Sequence, residues 1–198
     1  MSDLHNTLLY FLAAAFTQNL VLTTGIGSAL TLKMTRRPEN RVTFVTCLLA
    51  FSLLTIACFY PIDHALGTDE TAKLLRPLIL VALSAAWYLV AVLIFRRFLP
   101  RFFETVRPIL PLAAVNTVVT GVGLITNHQF HCSFLMCIGL AAGACVGFFL
   151  VFLLLCEGID RMQHEEMPKT FAGLPAQFLY LGILALALCG FSADITFI

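Results

Sequence analysis

From residue 42 to residue 60 the chain carries no charged side chain, and the same holds for residues 8–30, 77–95, 109–126, 133–155 and 175–191. Crossing roughly 30 Å of hydrocarbon takes about 20 predominantly apolar residues, so each run is a candidate membrane span. The sixth run reaches full length only with a few flanking residues. No spacer between them is long enough for a separate soluble domain. One all-α integral membrane domain over residues 1–198, with six transmembrane helices, is the economical expectation.

Composition agrees. Apolar residues make up 60% of the chain and charged residues 12%, against roughly 45–50% and about 25% in soluble domains. A formal net charge of +1 carries no nucleic-acid signal. The opening residues Met1 to Asn6 hold an Asp and no Lys or Arg, unlike the basic start of a cleaved signal peptide. The first apolar run is therefore expected to stay as a span.

Basic residues collect on the cytoplasmic side of membrane proteins. Lys33, Arg36, Arg37 and Arg41 follow the first run, Arg96, Arg97, Arg101 and Arg107 the third, and Arg161 and Lys169 the fifth. Only Lys73 and Arg76 follow the second run, and none follows the fourth. This places ten of the twelve basic residues on one side. The expectation is a multi-pass protein of the inner (plasma) membrane with both termini outside.

Polar and small residues interrupt two of the runs in the same way. Asn19, Thr23, Thr24, Gly25 and Gly27 in the first run are echoed by Asn116, Thr117, Thr120, Gly121 and Gly123 in the fourth. Three spans apart, the copies would lie in halves of opposite orientation, repeat one covering about residues 1–100 and repeat two about 101–198. Inverted repeats with interrupted helices at matching places point to a functional site near the bilayer midplane. Glycine eases the break, and Asn or Thr can satisfy the backbone groups it releases. Small residues also serve simple close packing, and Asn or Thr simple interhelical hydrogen bonding. The repetition in inverted halves favours two opposed, broken helices, in spans one and four.

At this point the chain resembles a known family. Pro168, Phe171, Gly173 and Pro175, then Gly182, Ala185-Leu186-Ala187 and Gly190-Phe191-Ser192, are similar to the paired six-helix membrane subunits of the Rnf/Nqr family. So are Leu110-Pro111-Leu112 leading to Asn116, and the stretch Gly25-Ile26-Gly27-Ser28-Ala29-Leu30. The outward N-terminus resembles the RnfA/NqrE branch. The resemblance implies a component of an electron-transport complex that couples electron transfer to Na⁺ or H⁺ translocation. It implies partners: a second six-helix membrane subunit, with flavins and iron–sulfur clusters carried by further subunits. It also implies an intramembrane iron or iron–sulfur centre shared between the paired subunits, each giving one cysteine from each broken helix.

Those cysteines are missing here. The first ligand position falls on Gly27 or Ala29, depending on the alignment, and the second on Thr117. Glycine and alanine have no ligating side chain, and threonine is a poor ligand for a soft metal site. The iron site is expected to be degenerate, with no metal or other cofactor held by this chain alone. Of the seven cysteines, Cys47, Cys58, Cys132, Cys137, Cys145, Cys156 and Cys189, none forms a C-x-x-C pair. Cysteine commonly behaves as a small buried hydrophobe. Cys145 alone falls near mid-membrane depth and is the one candidate replacement ligand.

Other reactive groups are sparse. No span interior holds an acid or base for proton relay. His128 and His131 sit together between the fourth and fifth runs, too few for a metal site. His164 belongs to a charged run that reads as a solvated helix end. With no nucleotide-binding motif and no nucleophile–base pair, the chain reads as a subunit that is not catalytic alone. The alternative is a diverged transporter or channel using neutral oxygens of Asn19, Thr23, Thr24, Asn116, Thr117 and Thr120, or a structural assembly subunit.

Overall fold

In the computed structural model, residues 2–17, 41–67, 70–129, 133–162 and 173–189 are described. Among them the chain is all helical: α1 (Ser2–Leu12) running into a π-helical turn at Ala13–Thr17, α2 (Arg41–Leu66), α3 (Glu70–Phe98), α4 (Pro100–Val106), α5 (Leu110–Ala114), α6 (Thr117–Gln129), α7 (Phe134–Met162) and α8 (Leu174–Cys189). Three segments are long and apolar enough to cross a membrane: Arg41–Leu66, Glu70–Phe98 and Phe134–Gly158. Shorter apolar helical segments occupy Leu4–Phe16, Leu110–Ile125 and Pro175–Ala187.

Helix α7 is the axis of the molecule. Of its membrane window 61% is buried, against 39% for α2 and 11% for α3, which puts α3 at the periphery. The buried face of α2 carries Phe44, Leu48, Phe51, Ser52, Thr55, Ile56 and Phe59, a helical stripe at three- and four-residue spacing. Phe44 packs on Phe148 and Phe152 of α7 at ring-centroid distances of 6.0 and 6.4 Å. Phe148 and Phe152 stack on each other at 6.3 Å. Offset and tilted aromatic pairs of this kind stabilise by about 0.5–1.5 kcal/mol beyond their burial.

Helix α1 reaches α7 through glycines. A Cβ on Gly139 would lie 2.7 Å from Thr7 Cγ2 and 2.9 Å from Thr7 O, and one on Gly143 would overlap the Phe11 carbonyl. This small-x-x-x-small spacing lets two backbones approach where lipid supplies no hydrophobic drive for association.

Helices α2 and α3 extend past the apolar runs that marked them, because helical hydrogen bonding continues into the flanking polar residues. Gly67, at φ 71°, ends α2 in the left-handed region, which glycine adopts without steric cost. Arg76 closes the connection: its Nε donates to Asp63 Oδ1 and its Nη2 to the Gly67 carbonyl, both at 2.8 Å.

Candidate functional site: the interrupted helix at Asn116

The sequence Leu110-Pro-Leu-Ala-Ala begins a helix well, since Pro111 near its start lacks only an N–H that would be unsatisfied anyway. The helix stops after one turn. Val115 leaves helical geometry at φ −93° and ψ 39°, its N–H still donating to Pro111 O at 3.1 Å. Asn116 then starts α6 as its cap. Its side-chain Oδ1 accepts the Val118 N–H at 3.0 Å, and its backbone oxygen accepts the Val119 N–H at 3.0 Å. Asn, Asp and Ser are the strongest caps because a short side-chain acceptor satisfies an orphan N–H of the first turn.

An interruption at membrane depth is tolerated only where protein or a cavity surrounds it. Leu110, Ala113, Ala114, Asn116, Val118, Val119 and Val122 are all buried, Asn116 at 0% exposure. The chain thus encloses one side of the break. On the other side Val115 and Thr117 are exposed, and Thr120 is half-buried with its hydroxyl donating to the Thr117 carbonyl at 3.2 Å. Gly121 is buried. Neighbouring positions therefore do different things: Asn116 faces the interior and Thr117 faces outward.

Of the residues singled out from the sequence, the structure brings together Asn116, Thr117, Thr120 and Gly121 around one break. Asn19, Thr23, Thr24, Gly25, Gly27 and Ala29 lie outside the described residues. So does Cys132, and so does His131.

Two hydroxyls go beyond the residues that the sequence singles out. Ser52 Oγ and Thr55 Oγ1 on the inner face of α2, like Asn116 Nδ2, are buried with no hydrogen-bond partner among the described residues. Ser and Thr in apolar helices commonly bond back to a carbonyl one turn earlier, as Thr46 does to Val42 O at 2.8 Å and Ser84 to Val81 O at 2.9 Å. Ser52 and Thr55 do not. Their signal in the sequence is two hydroxyls three residues apart inside the apolar run of α2, where they share a helix face.

Cys145 is buried on α7 and faces the Ser52 side chain. Among the described residues no group of three His, Cys, Asp or Glu side chains is placed to hold a metal ion.

What the architecture defines is a helical membrane protein with a capped, half-enclosed break in one short helix. The chain belongs to the Rnf-Nqr family: the family described as "Rnf-Nqr subunit, membrane protein" matches it over residues 7–195. It is 27% identical to the RnfA subunit of the Na⁺-translocating ferredoxin:NAD⁺ oxidoreductase complex of Acetobacterium woodii, over 94% of this chain and 97% of the relative. It is 25% identical to the corresponding subunit of the ion-translocating oxidoreductase complex of Syntrophotalea carbinolica, over 94% and 96%. The protein of the same name from Rhodobacter capsulatus is 27% identical over 93% and 95%.

Proposed function

We propose that this chain is a membrane subunit of an Rnf/Nqr-like complex in which electron transfer drives Na⁺ or H⁺ across the membrane. Full-length similarity to the RnfA subunits of such complexes supports the reading. The structural observation that carries it is the break at Asn116, enclosed by this chain on one side and open at Thr117 on the other. An open half-site calls for a second surface. A paired six-helix membrane subunit would supply it.

The proposed arrangement has six spans in two inverted repeats, the break in span four matched by one in span one. Both termini lie outside and the basic loops inside. Asn19, Thr23, Thr24, Gly25 and Gly27 would face Asn116, Thr117, Thr120 and Gly121 along an ion or electron path. Any iron in the membrane is held mainly by the partner's thiolates, and flavins and iron–sulfur clusters sit on other subunits.

The test is a mild-detergent pull-down of the tagged protein from its native membrane, with co-purifying chains identified by mass spectrometry. The expected result is a second six-helix subunit together with flavin- and iron–sulfur-bearing chains. A lone protein or homo-oligomer, from membranes where a control complex stays intact, would overturn the assignment. That outcome favours the second reading, a non-redox transporter on the same scaffold. The buried Thr55 hydroxyl, with Ser52 beside it on the same helix face, gives this reading its own support, since neutral oxygens of this kind coordinate cations in transporters.

A further inference from the structure

Helix α3 does not end cleanly. At Leu99, φ −132° and ψ 64°, the backbone leaves helical geometry, and Pro100 opens α4 without an N–H to continue the ladder. The bend holds a cavity of about 480 Å³, within the range of ligand sites at roughly 300–1,000 Å³. Tyr88, Val92 and Arg96, one turn apart along a single face of α3, form one wall; Pro100, Phe103, Glu104 and Arg107 form the other.

The elbow gathers charge of both signs. Arg76 and Arg161 have carboxylate partners at 2.8 and 2.9 Å. Among the described residues, Arg96 and Arg107 have none, although both line the same cavity. Glu104 lines it too and pairs with neither, leaving two guanidinium groups and one carboxylate. Arginine presents a planar fork of N–H donors that matches a phosphate, often in bidentate fashion.

Beyond Arg96, toward the middle of α3, the surface turns wholly apolar. Leu89 and Leu93 share the face of Arg96 at helical spacing and are 60% and 68% exposed. A phosphate clamp continued by an exposed apolar stripe matches an amphiphile with an anionic head and hydrocarbon tails. A free phosphate would leave the stripe unused, and an acidic protein loop does not match it. Basic pockets between membrane helices take anionic lipid head groups by the same logic.

We infer that the α3–α4 elbow is a binding site for an anionic phospholipid, its phosphate held by Arg96 and Arg107 and its acyl chains laid along Leu89 and Leu93. Tyr88 and Phe103 pack beside the glycerol region, and Glu104 limits how much negative charge the elbow accepts.

Trp87, the only tryptophan in the chain, packs against the core, so the probe is a Leu89→Trp substitution in a Trp87→Phe background, which puts the indole on the exposed face of α3 that Arg96 shares. The full chain is reconstituted in bilayers of mixed phosphatidylcholine and phosphatidylglycerol, with one or the other carrying brominated acyl chains that quench tryptophan. Preferential quenching by the brominated phosphatidylglycerol is expected, by roughly fivefold for each arginine engaged. The double variant Arg96→Gln/Arg107→Gln should abolish the preference, Arg96→Lys/Arg107→Lys should keep part of it, and Glu104→Gln should increase it. Arg161→Gln, a basic residue on α7, should leave it unchanged. Equal quenching by the two lipids, or a preference that survives the double glutamine variant, overturns the site. Loss of the preference on adding millimolar inorganic phosphate overturns lipid as the ligand and assigns the clamp to a soluble phosphate. Loss only when the co-purifying subunits are present assigns the elbow to protein contact and equally overturns it.

Discussion

Asn116 does two jobs with one side chain, and they separate by mutation. Its Oδ1 caps α6 through the Val118 N–H, while its Nδ2 is buried without a partner among the described residues. Asn116→Ser keeps a capping oxygen and removes the orphan donor. Asn116→Ala removes both, and losing a cap of this kind costs about 1 kcal/mol. Thermal unfolding in detergent should therefore rank wild type and Ser together, with Ala lower. An equal loss in Ser and Ala would show that the amide nitrogen, and not the cap, holds the site. Thr55 gives the opposite expectation. A buried hydroxyl with no partner is a net cost, of about 1–3 kcal/mol from mutational data, so a nearly isosteric apolar replacement relieves it. Thr55→Val is expected to leave the thermal midpoint unchanged or raise it. A clear fall would mean that the hydroxyl has a partner in the membrane. Unchanged stability with lost ion transport would place Thr55 on the ion path.

At the scale of elements, the α1–α7 contact and the α2–α3 connection are the two joints whose strength the structure lets one argue. Gly139 and Gly143 of α7 lie against the backbone of α1, so the added side chain at Gly143 has no flexible neighbour to displace. Overpacking typically costs about 1–3 kcal/mol, and here the clash is with a carbonyl, so Gly143→Leu should part α1 from α7. Limited proteolysis near the N-terminus should accelerate while the α2–α7 core resists. Equal protection in wild type and variant would defeat the argument. Arg76 and Asp63 are mostly buried, at 15% and 20% side-chain exposure, unlike the exposed Lys73–Glu70 pair. Removing Arg76 takes a largely buried charge partner from Asp63, whereas exposed pairs are worth about 0–1 kcal/mol. Arg76→Gln should lower stability more than Lys73→Gln, and combining it with Asp63→Asn should cost less than the two single losses together. Additive losses in that double variant would show that Arg76 acts through the Gly67 carbonyl alone.

For the whole molecule, the long apolar helices were legible in the sequence because lipid demands runs free of charge. The break was legible because Asn116, Thr117, Thr120 and Gly121 set polar and small residues inside an apolar run and echo a similar stretch of the first run. Which face of each helix turns inward was not. A helix apolar all round carries no stripe that separates core from lipid, so the inward face of α2, with Ser52 and Thr55, emerges only from its packing on α7. The Gly139–Gly143 spacing was readable but is common enough in membrane helices to need the partner backbone for its meaning.

Topology is the remaining whole-molecule expectation, and it rests on charge alone. Ten of twelve basic residues follow odd-numbered runs, and Lys and Arg near span ends set orientation. Truncations fused after Gly67 and after Arg107 test this directly. A phosphatase reporter, active only outside the cytoplasm, should work after Gly67 and fail after Arg107; a green fluorescent reporter, folding only in the cytoplasm, should do the reverse. The opposite pattern at both points would invert the protein and move the α3–α4 elbow to the outer leaflet. The same reporter result at both points would mean that α3 does not cross the membrane. Its exposed leucines would then need a protein partner in place of lipid.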